Sequence, residues 1–253
     1  MRELTRLMPN EELIYFGDTG RVPYGGNSRN TIIQYTRQDV AFLRSFAPKA
    51  IVIACGTVSA TALSVLREKD DIPMFGVVEP AVHAAARCTK NGRVGLIGTK
   101  ASIRSGAYET ALAKLCPGVS VTARACPLFV PLVENGRFSP GDIVAETVAA
   151  EYLAPIRDAG VDTLILGCTH YPLLKEVIGA YMGPDVTLID VGAQCARWAA
   201  ARLEQAGRRS DRLGAGCRRF FVSDSTEDFA SLASIFFKEN LVNEVEQIDI
   251  TQY

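Results

Sequence analysis

Thr163-Leu164-Ile165-Leu166-Gly167-Cys168-Thr169-His170 is a short apolar run that closes on a glycine and then delivers a cysteine, a threonine and a histidine. An unbroken apolar run of this length, bounded by a turn residue, fits a strand buried on both faces of a parallel sheet. Ala50-Ile51-Val52-Ile53-Ala54-Cys55-Gly56-Thr57 has the same form. Each stretch puts a thiol where a buried strand runs out, the place at which open α/β sheets hold ligands and reactive side chains. Two such thiols facing one another suffice to move a proton across one carbon.

Outward from these runs, β-rich segments recur at residues 13–17, 50–55, 74–77, 94–98, 119–125, 163–167, 186–190 and 220–222. Between them lie amphipathic patterns at 30–46, 58–69, 81–90, 105–115, 142–159 and 193–205, several opened by Ser, Thr or Pro near the cap. This alternation predicts an α/β protein of parallel sheets covered by helices. The turn after Val78, where Glu79-Pro80 begins a new segment, and Asp190-Val191-Gly192 are natural division points. They predict a discontinuous first α/β domain of residues 1–78 plus 191–253 and a second of 79–190. Residues 2–8 read as the tail of a helix stopped by Pro9-Asn10. No strand precedes it, so the chain is expected to begin one β-element late.

The 253 residues carry 27 Lys and Arg against 28 Asp and Glu, a net charge of −1, and 48% are hydrophobic. A near-neutral chain without a basic block lacks the electrostatic footprint of a nucleic-acid binder. Charges at Arg2 and Glu3 interrupt the place where a signal peptide needs an apolar core, and no stretch has the length of a membrane span. A cytoplasmic location, with no membrane partner, is expected. The seven cysteines form no Cys-x-x-Cys pair, which argues against a zinc ribbon or a disulfide framework. With only two histidines, His83 and His170, no metal site is expected. Cys88, Cys116, Cys126, Cys195 and Cys217 match no acid/base motif.

Four strings bring a family into view: Tyr15-Phe16-Gly17-Asp18-Thr19-Gly20-Arg21-Val22-Pro23-Tyr24-Gly25, Ala54-Cys55-Gly56-Thr57-Val58-Ser59-Ala60, Pro127-Leu128-Phe129-Val130-Pro131-Leu132-Val133-Glu134 and Gly167-Cys168-Thr169-His170-Tyr171-Pro172-Leu173-Leu174. With Gly76-Val77-Val78-Glu79-Pro80 and Leu188-Ile189-Asp190, the chain resembles the glutamate racemases of the aspartate/glutamate racemase family over nearly its whole length. The resemblance implies two similar parallel-sheet α/β domains with the active site between them. It also implies racemisation of L- and D-glutamate without a cofactor, supplying D-glutamate for peptidoglycan, and a homodimer as the default assembly.

Residue by residue, the resemblance makes Cys55 and Cys168 the acid/base thiols and His170 the group assisting the second. Glu134 corresponds to a carboxylate near that thiol, Pro23, Tyr24 and Gly25 to a loop offering backbone groups to substrate, and Gly56, Thr57 and Thr169 to substrate-binding positions. A free thiol ionises near pH 8.5, so such a site needs dipoles, cations or a base beside the sulfur. On local chemistry alone, Glu134 fits equally a solvated acid before the Asn135-Gly136 turn, Tyr24 a loop-packing ring, and Asp18 with Arg21 a structural pair.

Two departures fall on the Cys55 side. The family's Asp-Ser-Gly motif, which lies upstream of the opening helix, has no counterpart here. Its Ala-Cys-Asn-Thr-Ala motif reads Ala54-Cys55-Gly56-Thr57-Val58, so a hydrogen stands where an amide would bind substrate. Losing an oriented donor costs about 10²- to 10³-fold in rate. These departures motivate an alternative, a catalytically impaired or noncatalytic relative that binds glutamate. A racemase of another amino acid such as aspartate is a third reading, against which the intact Gly-Cys-Thr-His-Tyr-Pro string argues.

Overall fold

A computed structural model describes residues 1–68, 70–237 and 244–253. The chain runs α1 (Arg2–Leu7), β1 (Leu13–Gly17), α2 (Arg29–Arg44), β2 (Ile51–Ile53), α3 (Gly56–Thr61), α4 (Leu63–Arg67), β3 (Met74–Gly76) and α5 (Val78–Cys88). It continues with β4 (Arg93–Gly98), α6 (Lys100–Ser105), α7 (Ala107–Leu115), β5 (Ser120–Ala125), α8 (Phe129–Glu134), α9 (Ile143–Asp158) and β6 (Thr163–Leu166). Then follow α10 (Lys175–Met182), β7 (Thr187–Asp190), α11 (Val191–Gln205), β8 (Arg218–Val222), α12 (Thr226–Phe237) and β9 (Val245–Gln247).

The chain divides into two units: Met1–Val52, Ser64–Phe75 and Ala196–Tyr253 form unit 1, and Ile53–Leu63 with Gly76–Cys195 form unit 2. In unit 1, β1, β8 and β9 make a three-stranded parallel sheet in the order β1-β8-β9. β1 is therefore an edge strand of that sheet. Helix α2 is opened by Ser28, whose hydroxyl accepts from the Thr31 amide, satisfying one of the free donors of the first turn. Its buried residues Ile32, Thr36 and Val40 recur every fourth position, the stripe an amphipathic helix lays on a sheet.

Unit 2 holds a four-stranded parallel sheet in the order β5-β4-β6-β7. The central strand β6 is buried at every residue, which is why its sequence is an unbroken run rather than an alternating one. Helix α9 is capped by the Asp142 carboxylate, which accepts from the amides of Val144 and Ala145, and it buries Ala145, Ala149, Leu153 and Ile156 along one face. Strand order reverses direction between β4 and β6, so the crevice at their carboxyl ends is a topological switch point.

The parallel α/β architecture expected from the alternation is the one observed; α8, α10, α12 and β9 were not among the expected elements, and three further details differ. The segment 58–69 does not form one helix: α3 and α4 are separated at Ala62, and Lys69 lies outside the described residues. The segment 105–115 is preceded by α6, and Gly106 at φ 62° interrupts the two helices, a conformation glycine adopts without strain. The division also differs from the expected one at residue 78, because Ile53–Leu63 belongs to unit 2. Long-range bonds from this segment hold it there: Ser59 Oγ accepts from the Val77 amide at 3.1 Å, and Thr57 Oγ1 lies 2.9 Å from Thr99 Oγ1.

Candidate functional site

β6 ends at the switch point of unit 2, where the Gly167 amide donates to the Ile97 carbonyl at 2.7 Å. Cys168 follows and is buried. The chain then turns into a short 3-10 segment, Tyr171–Leu174, whose amide at Tyr171 donates to the Cys168 carbonyl at 3.2 Å. This turn holds His170 against the sulfur, with Nδ1 3.8 Å from Cys168 Sγ.

The far side of the imidazole meets Glu134, whose Oε1 is 3.2 Å from Nε2. Glu134 is the last residue of α8, and α8 is fixed by its first. Phe129 is fully buried and meets the ring of Tyr171 edge-on at 5.2 Å, while the Tyr171 hydroxyl donates to the Cys126 carbonyl at 3.0 Å. Carboxylate, imidazole and thiol are thus aligned by an aromatic contact between the two short helices that carry them. Burial alone would lower the His170 pKa, but the hydrogen bonds and negative charge of Cys168 and Glu134 outweigh it and raise the value from 6.5 to about 9. The ring is therefore an imidazolium at neutral pH, able to offset charge on the sulfur.

Cys55 lies two residues beyond β2 and is the cap residue of α3. Its sulfur faces the amides of Val58 and Thr57 and the Thr57 hydroxyl. Burial pushes this thiol up, and the charge of Cys168 pushes it further, against the lowering effect of those three donors. The two thiols therefore lie near enough to feel each other's charge. Thr57 is itself buried, and its hydroxyl begins a chain through Thr99 Oγ1 at 2.9 Å to Ser102 Oγ at 3.0 Å. Thr99 stands at the carboxyl end of β4 and caps α6 through the Ser102 amide.

Of the residues singled out from the sequence, Cys55, Gly56, Thr57, Glu134, Cys168, Thr169 and His170 fall in unit 2, whereas Pro23, Tyr24 and Gly25 fall in unit 1. Thr169 is partly buried between Cys168 and His170. Glu134 bonds to His170 rather than standing as a free turn acid. Asp18 and Arg21 form a pair, with Nε 2.7 Å from Oδ2. The buried Tyr24 donates its hydroxyl to the carboxylates of Asp18 and Asp39. Arg21 also reaches Asp39 Oδ1 at 2.8 Å, and the Ser223 hydroxyl donates to Asp18 Oδ1 at 2.8 Å. The cluster ties the loop of residues 18–26 to α2 and to the end of β8.

Sequence reading did not single out Thr99, Ser102, Tyr108 or Asp39. Thr99 carried the same signal as the cysteines, a polar residue immediately after a buried strand. Tyr108 is fully buried in α7, its hydroxyl has no hydrogen-bond partner among the described residues, and the charges of Cys168 and Cys55 both act on it. Nothing in its local sequence distinguishes it from a core tyrosine.

Residues 3–200 match the model of the Asp/Glu/hydantoin racemase family. A glutamate racemase from Geobacter metallireducens is 43% identical over 250 residues, spanning 99% of this chain and 92% of that one. Among solved structures, a glutamate racemase isoform from Bacillus anthracis superposes with a TM-score of 0.92 at 36% identity, over 98% of this chain and 91% of the other. The glutamate racemase of Francisella tularensis in complex with D-glutamate superposes with a TM-score of 0.91 at 35% identity, over 100% and 93% of the two chains. A matched model over most of the chain, full-length relatives and the same fold together establish that this chain belongs to the Asp/Glu/hydantoin racemase family.

Proposed function

We propose that the protein is a glutamate racemase that interconverts L- and D-glutamate through two cysteines and needs no cofactor. The observation that carries the reading is the pair of thiols in unit 2, each placed just after a strand, one of them backed by the His170–Glu134 chain. The thiolate of one cysteine takes the α-proton, so that a C–H bond breaks and an S–H bond forms. The thiol of the other gives its proton to the opposite face of the same carbon. The α-carbon is inverted, and the two sulfurs have exchanged protonation states.

The surrounding groups fit these roles. His170, protonated at neutral pH, offsets negative charge on Cys168 and hands a proton back to it, while Glu134 holds the ring in place. The Thr57 and Val58 amides and the Thr57 hydroxyl serve Cys55 in the same sense. Thr57 and Thr169 are assigned to the substrate's amino and carboxylate groups, Gly56 to the substrate wall, and Pro23, Tyr24 and Gly25 to backbone contacts with substrate. The resemblance extends the reading to a homodimer in a bacterial cytoplasm, supplying D-glutamate for peptidoglycan. The named relatives are glutamate racemases, and the comparisons support neither a noncatalytic protein nor an aspartate enzyme.

The test is α-proton exchange of separate D- and L-glutamate in D₂O, followed by NMR and circular dichroism with no cofactor added. The parent protein is expected to racemise both enantiomers, and Cys55→Ala and Cys168→Ala each to abolish it. A folded parent that exchanges neither enantiomer, or exchange surviving in both variants, overturns the reading.

A further inference from the structure

Gly56 and Gly167 each stand beside one of the two thiols, and their backbones touch. A Cβ placed on Gly56 would overlap the Gly167 carbonyl oxygen, and one placed on Gly167 would come within 2.6 Å of the Ile97 carbonyl oxygen. The contact therefore stacks three backbones, at the turn after β2, at the end of β6 and at the end of β4, with no side chain between them. A clash with the end of a flexible side chain is relieved by a rotamer change, whereas a clash with a backbone carbonyl moves the strand that carries it. Here the strand end that carries the carbonyl is held in place, because the Gly167 amide is bonded to the Ile97 carbonyl at 2.7 Å. Cys55 and Cys168 are the immediate chain neighbours of the two glycines, so displacement at position 56 is passed directly to the distance between the sulfurs.

Compared with the family pattern, glycine at this position looks like the loss of a substrate-binding amide, repaired by restoring asparagine. The packing gives the opposite sign. We infer that Gly56 is a positioning residue whose missing side chain sets the separation of the Cys55 and Cys168 thiols, so that any side chain placed there, asparagine included, lowers turnover. The inference deepens the two-cysteine reading and rests on it for the activity arm of its test. Displacing reacting groups by about 1 Å costs roughly 10²-fold in rate, and the effect falls chiefly on kcat because the displacement acts on the distance between the two sulfurs.

Gly56→Ala and Gly56→Asn are compared with the parent for racemisation of glutamate and for thiol coupling. Both variants are expected to lose about 10²-fold in kcat with KM moved far less. A rise in kcat for Gly56→Asn, or an unchanged kcat for Gly56→Ala, overturns the inference. The second arm needs no substrate: the pH profile of Cys55 alkylation by iodoacetamide is recorded with and without Cys168→Ser. Removing the Cys168 charge is expected to lower the Cys55 midpoint in the parent and to lower it less in the Gly56→Ala background. Coupling lost in the variant of a protein inactive on glutamate supports the geometry while rejecting the racemase reading, and coupling unchanged in a folded variant overturns the geometry. If neither variant folds, nuclear Overhauser contacts from the Gly56 α-protons to the Cys168 backbone protons of the parent decide. Their presence supports the backbone stack and their absence overturns it.

Discussion

His170 is held beside the Cys168 thiol, with Glu134 on the far side of its ring. Its pKa is raised above 6.5 to about 9, so the folded state holds a proton that the unfolded chain releases. That stabilisation is complete below about pH 6.5 and is lost as pH climbs through 9. Replacing Glu134 by Gln removes one charge and weakens one hydrogen bond. Two results are expected: the midpoint of His170, read by NMR of the ring protons, falls toward 6.5, and the alkaline limit of activity falls with it. His170→Asn is expected to cost about 10²- to 10⁴-fold in kcat, the usual worth of a positioned acid or base. Unchanged profiles in Glu134→Gln would sink the assignment of Glu134. At this scale the sequence was readable wherever a residue stood in a motif, as Cys168-Thr169-His170 does. It was silent on Tyr108 and Asp39, whose surroundings come from elements distant in the chain.

Among the elements, the segment of residues 18–26, which forms two short 3-10 turns, is latched to α2 and to the end of β8 by side chains. Asp39 on α2 faces Asp18, Arg21 and Tyr24, and burial first, then the charge of Asp18, raises its pKa from 3.8 to about 7 despite Arg21 and the Tyr24 hydroxyl. Two carboxylates sharing one hydroxyl and one guanidinium resist holding two negative charges together. The sign follows: Asp39 stays protonated in the folded chain after the unfolded chain has lost that proton, so stability falls as pH rises from about 4 to about 7. Asp39→Asn removes this dependence, and thermal unfolding midpoints compared at pH 5 and pH 8 are expected to differ less in the variant than in the parent. An equal slope in both proteins would place the titration elsewhere. Strands β1 to β8 and, apart from α12, the long helices were legible because period and caps are local. The short helix α8 was not, since six residues with a proline carry too little period to separate a helix from a loop.

For the whole molecule, the chain passes between its two units four times, and the strand that completes the β1 sheet is supplied from more than 200 residues downstream, where Leu13 to Gly17 pair with Arg218 to Val222. A chain ended after Cys195 keeps every residue of unit 2 and deprives β1 of its partner. Hydrogen exchange on that truncated chain is expected to show the β1 amides unprotected and the β4, β6 and β7 amides still slow. Equal protection of β1 in both chains would contradict the pairing. The sequence by itself determined the parallel α/β class, strands β1 to β8, the longer helices other than α12 and the two strand-end thiols, because hydrophobic period, caps and turn residues act within about ten residues of one another. Only the tertiary structure decided that Ile53–Leu63 joins unit 2, that Glu134 meets His170 across 36 residues, that Thr57 meets Thr99 across 42, and that position 56 has no room for a side chain. These are contacts between groups remote in the chain, fixed by which strands lie side by side and how closely their backbones approach.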